Sequence, residues 1–171
     1  GAVHSTADTL RPALQVLGAA PGTKLVSSAM VMETPKPEYG EQGTLVFADC
    51  GLVVDPSAEE LASIAYSTAQ TAKSLLNIEP RVAMLCFSTK GSGKGAVVDK
   101  VAEATRIAKE QWPDLALDGE FQADAALVPW VGQKKAPGSA VAGHANVLVF
   151  PDLASGNIGY KLVERLADTQ A

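Results

Sequence analysis

Short runs of apolar, often branched residues alternate along this chain with longer stretches of helical periodicity. That alternation limits the fold to the α/β class. Strands are expected at residues 25–32, 44–49, 81–87, 115–118 and 146–150. Most of these runs are continuously apolar, so helices should cover both faces of the sheet. The clearest helix is expected over 58–77. Ser57 and Glu60 form a capping-box pattern after Pro56, and Leu61, Ile64, Ala65, Thr68, Ala72, Leu75 and Leu76 recur at helical spacing. A second helix is expected over 96–111, ending at Trp112-Pro113. A shorter one over 122–131 is disturbed by Pro129, and a last one over 157–167 places Ile158, Leu162, Val163 and Leu166 on one face. Residues 33–43 and 133–144 read as loops.

With 171 residues and no repeat, low-complexity tract or linker, a single domain over 1–171 is expected. The net charge of -5 and a pI near 5.0 argue against a nucleic-acid surface, which needs clustered surplus cations. No apolar run approaches the roughly 20 residues that span a bilayer, and no signal or lipidation motif is visible. Cys50 and Cys86 lie in or beside apolar runs without CxxC spacing, which fits buried reduced thiols and a cytoplasmic setting.

Five segments carry residues with chemical potential. The first, Gly1-Ala2-Val3-His4-Ser5-Thr6-Ala7-Asp8-Thr9-Leu10-Arg11-Pro12, places two hydroxyls where a helix begins and a guanidinium one to two turns on. Ser5, Thr6 and Arg11 can converge on a phosphoryl group at such a helix start. A capped helix in which Arg11 pairs with Asp8 fits the same spacing, and His4 fits a surface histidine. The second segment, Phe87-Ser88-Thr89-Lys90-Gly91-Ser92-Gly93-Lys94-Gly95, lies between a strand and a helix like a phosphate loop. It has Ser88 in place of the first glycine and Gly95 in place of the metal-binding hydroxyl, so it fails the nucleotide-binding pattern. A solvent-facing loop is the expectation there.

The third, Asp118-Gly119-Glu120-Phe121-Gln122-Ala123-Asp124, gathers three carboxylates. With no His or Cys nearby to complete a metal site, it reads as a turn leading into a helix start. The fourth, Lys134-Lys135-Ala136-Pro137-Gly138-Ser139, reads as a solvated basic turn. The fifth, from Asp152 to Lys161, follows the last strand. Ligands bind at the carboxyl ends of strands in such sheets, so a ligand rim and an exposed glycine-rich loop are both open there, with Gly156 and Gly159 permitting close backbone approach.

Taken in order, the blocks GAVHSTADTLRPALQV, LVFADC, RVAMLCFSTKGS, DGEFQADAALVP, KKAPGS and ANVLVFPDLASGNIGYKLVERL resemble phosphate acetyltransferase (phosphotransacetylase) over nearly the whole chain. The resemblance implies a three-layer αβα fold with a mostly buried sheet, similar to the second domain of phosphotransacetylase and related in architecture to isocitrate and isopropylmalate dehydrogenases. It implies reversible acetyl transfer between CoA and inorganic phosphate, an acyltransferase with acetyl-CoA, CoA, phosphate and acetyl phosphate as ligands. The resemblance also implies a homodimer with no metal and no tightly bound cofactor, while charge and hydropathy leave neither a nucleic-acid nor a membrane partner expected.

By the same resemblance Ser5, Thr6 and Arg11 line the substrate cleft and Lys161 is a CoA contact. Cys86 and Trp130 depart from the family's usual residues at their positions. The family's catalytic Ser-Arg-Gly block, with an aspartate beyond it that takes the thiol proton, does not occur in these 171 residues. A fragment without the preceding domain and without that block, inactive alone, is therefore expected. Two other readings share the resemblance: an acetyl-CoA-sensing regulatory domain of a malic enzyme, and a phosphate butyryltransferase-like enzyme.

Overall fold

The first strand after the opening segment, β1 (Ala29–Glu33), runs antiparallel to β2 (Thr44–Ala48), with Ala29 opposite Ala48 and Glu33 opposite Thr44. The computed structural model describes residues 25–171 together with Asp8, Pro12, Gln15 and Val16. Ser5, Thr6, Arg11 and His4 lie outside the described residues. After β2 come α1 (Ala58–Leu76), β3 (Val82–Leu85), α2 (Ala96–Gln111) and β4 (Leu117–Phe121). They are followed by α3 (Ala123–Leu127), α4 (Pro129–Lys135), β5 (Val147–Val149) and α5 (Leu153–Leu166).

Among the described residues the strands form one sheet in the order β1-β2-β5-β3-β4, and every pairing except β1 with β2 is parallel. The continuous apolar runs have the cause expected of them: β2, β3, β4 and β5 each feed two cores, while β1 at the edge feeds one. Val46, Ala48, Val82, Met84, Val147 and Val149 point to one face, where Leu61, Ile64 and Ala65 of α1 and Val101, Ala104 and Ile107 of α2 meet them. Leu45, Phe47, Ala83, Leu85, Phe121 and Leu148 point to the other, against Ala126 of α3 and residues Val141, Ala142, Tyr160 and Val163. This is the three-layer arrangement.

The helix signals act as read. The Ser57 hydroxyl accepts from the Glu60 N–H, and the Glu60 carboxylate accepts from the Ser57 N–H, closing the capping box of α1. Tyr66 stacks on Trp112 at 4.3 Å between ring centres, fastening α1 to the end of α2. The predicted helix at 122–131 divides into α3 and α4 because Pro129 cannot continue the first and takes the opening position of the second.

Three local readings need correction. Residues 118–121 are strand rather than turn, since β4 runs to Phe121. Lys134 and Lys135 close α4 rather than forming a turn. The last helix begins at Leu153, four residues before the predicted start, so Gly156 and Gly159 lie inside it.

Candidate functional site

Adjacent parallel strands whose chains leave toward opposite faces open a crevice at their carboxyl ends. Here β2 continues toward α1 on one face, whereas its neighbour β5 continues into α5 on the other. A groove of about 540 Å³ lies at that place, lined by Val54, Asp55, Asp152, Leu153, Ala154, Asn157 and Ile158. Its walls are tied to each other through the backbone. The Leu153 N–H donates to the Val54 carbonyl at 3.0 Å, and the Asn157 amide donates to the Cys50 carbonyl at 3.1 Å. Asp152 caps α5 by accepting from the Ser155 N–H, and Lys100 reaches Asp55 at 2.7 Å.

Beneath this groove Asp49 is buried at the end of β2. Its carboxylate accepts from the backbone N–H groups of Ser28, Gly51, Leu52 and Val53 and from the Ser28 hydroxyl. Donors of this number satisfy a buried carboxylate without a cation. Cys50 beside it is fully buried. Burial, with the neighbouring Asp49 charge adding to it, pushes its thiol up to about 12, so it stays protonated and is not a nucleophile at neutral pH.

The helix that forms the second wall is seated unusually. Among the described residues Gly156 is the one member of α5 that is buried. A Cβ there would lie 2.3 Å from the Asp49 carbonyl oxygen, so only glycine permits this approach; a Cβ at Gly159 would meet the Phe150 ring at 3.0 Å. The glycines expected to admit a ligand instead admit the protein's own strand ends. Tyr160 and Val163 turn inward, while Ile158, Lys161, Leu162, Arg165 and Leu166 are exposed on the opposite face. Their i, i+3, i+4, i+7, i+8 spacing makes an apolar stripe edged by two cations, next to the groove. Lys161, the CoA contact implied by resemblance, stands on this face, with its ammonium 4.9 Å from the centre of the Tyr160 ring. Arg165 was not singled out from sequence, although its position four residues after Lys161 puts it beside that residue. The predicted apolar face of this helix is thus divided: only Val163 of its four residues turns to the core.

The glycine- and lysine-rich loop faces solvent at Phe87, Lys90, Gly91, Ser92, Lys94 and Gly95, as expected, but it is anchored from within. Ser88 and Glu120 are buried, and the Glu120 carboxylate accepts from the Ser88 hydroxyl and from the Gly91 N–H, both at 2.7 Å. The Gly93 N–H donates back to the Ser88 hydroxyl at 2.9 Å. Where a nucleotide loop wraps a phosphate, this one wraps a carboxylate of its own chain. Lys90 donates to Asp118 and to the Gly119 carbonyl, both at 2.6 Å, and Lys109 and Ser139 also donate to Asp118. Burial on its own raises the Asp118 pKa. The hydrogen bonds from Lys109, Lys90 and Ser139 outweigh it and hold the carboxyl at about 2. Asp124, with Lys135 donating to it at 2.9 Å, is held below the usual carboxylate range. The acids of this segment are therefore structural. Among the described residues no group of three or more His, Cys, Asp and Glu is arranged to hold a metal ion. Nor is any described helix long and apolar enough to cross a membrane.

The family model of phosphate acetyl/butyryl transferases matches residues 1–171. The chain belongs to this family. A phosphate acetyltransferase of Thermoanaerobacterium thermosaccharolyticum is 63% identical over all of this chain and 52% of its own length. One from Acetivibrio thermocellus is 58% identical over the same share of each. A solved phosphotransacetylase from Streptococcus pyogenes superposes with a TM-score of 0.84 at 54% identity, over 99% of this chain and 50% of that one. The chain thus spans about half the length of the curated relatives it matches.

Proposed function

We propose that this protein is a phosphate acetyltransferase that moves an acetyl group reversibly between CoA and inorganic phosphate, with its described residues forming one wall of the substrate cleft. The observation that carries the reading is the exposed face of α5 beside the β2/β5 groove. An apolar stripe of Ile158, Leu162 and Leu166 is edged by Lys161 and Arg165. CoA needs such a surface: a long, weakly polar arm and several phosphate charges. Lys161 and Arg165 take the phosphates in this reading, and the stripe takes the arm. Ser5, Thr6 and Arg11 hold the phosphoryl group of acetyl phosphate, as the family resemblance implies.

In the transfer the CoA sulfur bonds to the acetyl carbonyl carbon, the bond from that carbon to the phosphate oxygen breaks, and the thiol proton leaves to a base. The described buried acids do not fit that base, because Asp49, Asp118 and Glu120 are committed to internal donors. The protonated Cys50 does not fit an acyl-enzyme route. CoA and acetyl-CoA are substrates in this reading rather than resident cofactors. Free Cys50 and Cys86 suit a reducing cytoplasm, and a homodimer follows from the family resemblance. The acetyl preference rests on the names of the relatives at 58–63% identity.

The test is acetyl-CoA formation from acetyl phosphate and CoA, followed at the thioester absorbance, by the full-length protein, meaning this chain together with the catalytic block the family resemblance implies; the 171 residues alone are expected to be inactive. We expect Arg11→Ala to lower kcat/KM for acetyl phosphate by roughly a hundredfold, through loss of a charge-assisted phosphate contact. No turnover by the wild-type protein, or unchanged kinetics in the variant, contradicts the proposal.

A further inference from the structure

Both walls of the groove are tied together within a few residues of one buried carboxylate. Asp49 fixes the N–H groups of Gly51, Leu52 and Val53, and Val54 and Asp55 of the first wall follow directly. Its carbonyl oxygen is the surface on which Gly156, the buried point of the second wall, rests. The Cys50 carbonyl next to it accepts from Asn157, and the Val54 carbonyl accepts from Leu153. Ser28 completes the arrangement. Its N–H and hydroxyl donate to Asp49, and its hydroxyl oxygen accepts from the Cys50 N–H at 3.2 Å.

We infer that Asp49 is a positioning residue for the CoA subsite: its carboxylate sets the 51–55 turn and holds the backbone whose Asp49 and Cys50 carbonyls seat Gly156 and Asn157, and so it sets the height and rotation of α5. The inference rests on the reading of α5 as the CoA-facing wall. A helix held by side-chain burial can absorb the loss of one polar contact. α5 is fixed by the Gly156 seat, two hydrogen bonds to the 50–54 turn and the inward Tyr160 and Val163, so most of its polar ties run through the segment Asp49 orders, and small displacements at a binding wall carry large kinetic costs. Asp49 touches no substrate in this account, so its effect falls on CoA use.

The experiment is steady-state kinetics of full-length Asp49→Asn and Ser28→Ala, with CoA and acetyl phosphate varied separately. Asn at position 49 keeps the size but turns an NH2 toward the backbone donors. We expect its KM for CoA to rise roughly tenfold while kcat and the KM for acetyl phosphate change less than about twofold. Ser28→Ala removes one donor and is expected to move the KM for CoA in the same direction by about two- to threefold, and it serves if the Asp49 variant does not fold. A general loss of structure would instead lower the active fraction, reducing kcat with little change in either KM. That pattern, or an unchanged KM for CoA in an active wild-type background, overturns the inference alone. A wild-type protein that forms no acetyl-CoA overturns the functional reading and this inference with it.

Discussion

Two helices flank the same sheet and are held to it by opposite means. α1 buries Leu61, Ala62, Ile64, Ala65, Thr68, Ala69 and Ala72, and presents serines, glutamates and other polar residues to solvent. Helix α5 buries Gly156 and leaves Ile158, Leu162 and Leu166 at 58%, 53% and 80% exposure. Both are amphipathic, yet α1 spends its apolar stripe on the core as far as Ala72, with Leu75 of the expected stripe left exposed at its end. The difference teaches that an apolar stripe at helical spacing reports a surface to be covered and does not say what covers it. α1 and α2 fill the core on one face of the sheet. In α5 Ile158, Leu162 and Leu166 stay exposed, and the proposed function assigns them to CoA.

Truncating the sealed side should have the largest effect. Ile64 is fully buried between α1 and the sheet, and Ile64→Ala is expected to cost about 2–5 kcal/mol in chemical denaturation. A loss below about 1 kcal/mol would dissolve the contrast between the helices, because core truncations at tightly packed sites do not come so cheaply.

An intermediate effect belongs to Asp118, which ties the Lys90 loop and α2 to β4. Its folded pKa of about 2 lies below the ordinary 3.8. Its contribution is therefore complete above pH 3.8 and is lost as pH falls through about 2. The partner lysines are partly exposed, which reduces the contribution to about 1–2 kcal/mol at neutral pH. Asp118→Asn should lose that amount at pH 7 and flatten the acid limb of the stability curve. An acid limb identical to that of the wild type would place the sensitivity in other groups.

Much of this architecture was legible in the sequence, and the failures share a cause. The strands and the two long helices were found because their residues face the core, and burial leaves a periodic signature. The start of α5 was missed because Gly156 and Gly159 read as loop residues. They are glycines because the Asp49 carbonyl and the Phe150 ring approach too closely for a Cβ, a tertiary fact with no local signal. Asp118 and Glu120 read as a turn because acids are rarely buried in strands. Here Lys90, Lys109, Ser139, Ser88 and the Gly91 N–H supply their partners from distant parts of the chain. Lys161 was legible as a cation one turn into the helix after the last strand, and only its CoA role came from family resemblance. Arg165 could have been found from its i, i+4 spacing to it.

The smallest stability effect carries the most weight. The decisive measurement is the KM for CoA of full-length Leu162→Ser, taken with its denaturation midpoint. If α5 reserves its apolar stripe for CoA, stability should change by no more than about 0.5 kcal/mol, the ordinary range for an exposed helix site. The KM for CoA should rise roughly fivefold as apolar contact is lost. An unchanged KM together with a stability loss matching that of Ile64→Ala would show that this face belongs to the core after all, and would contradict the account.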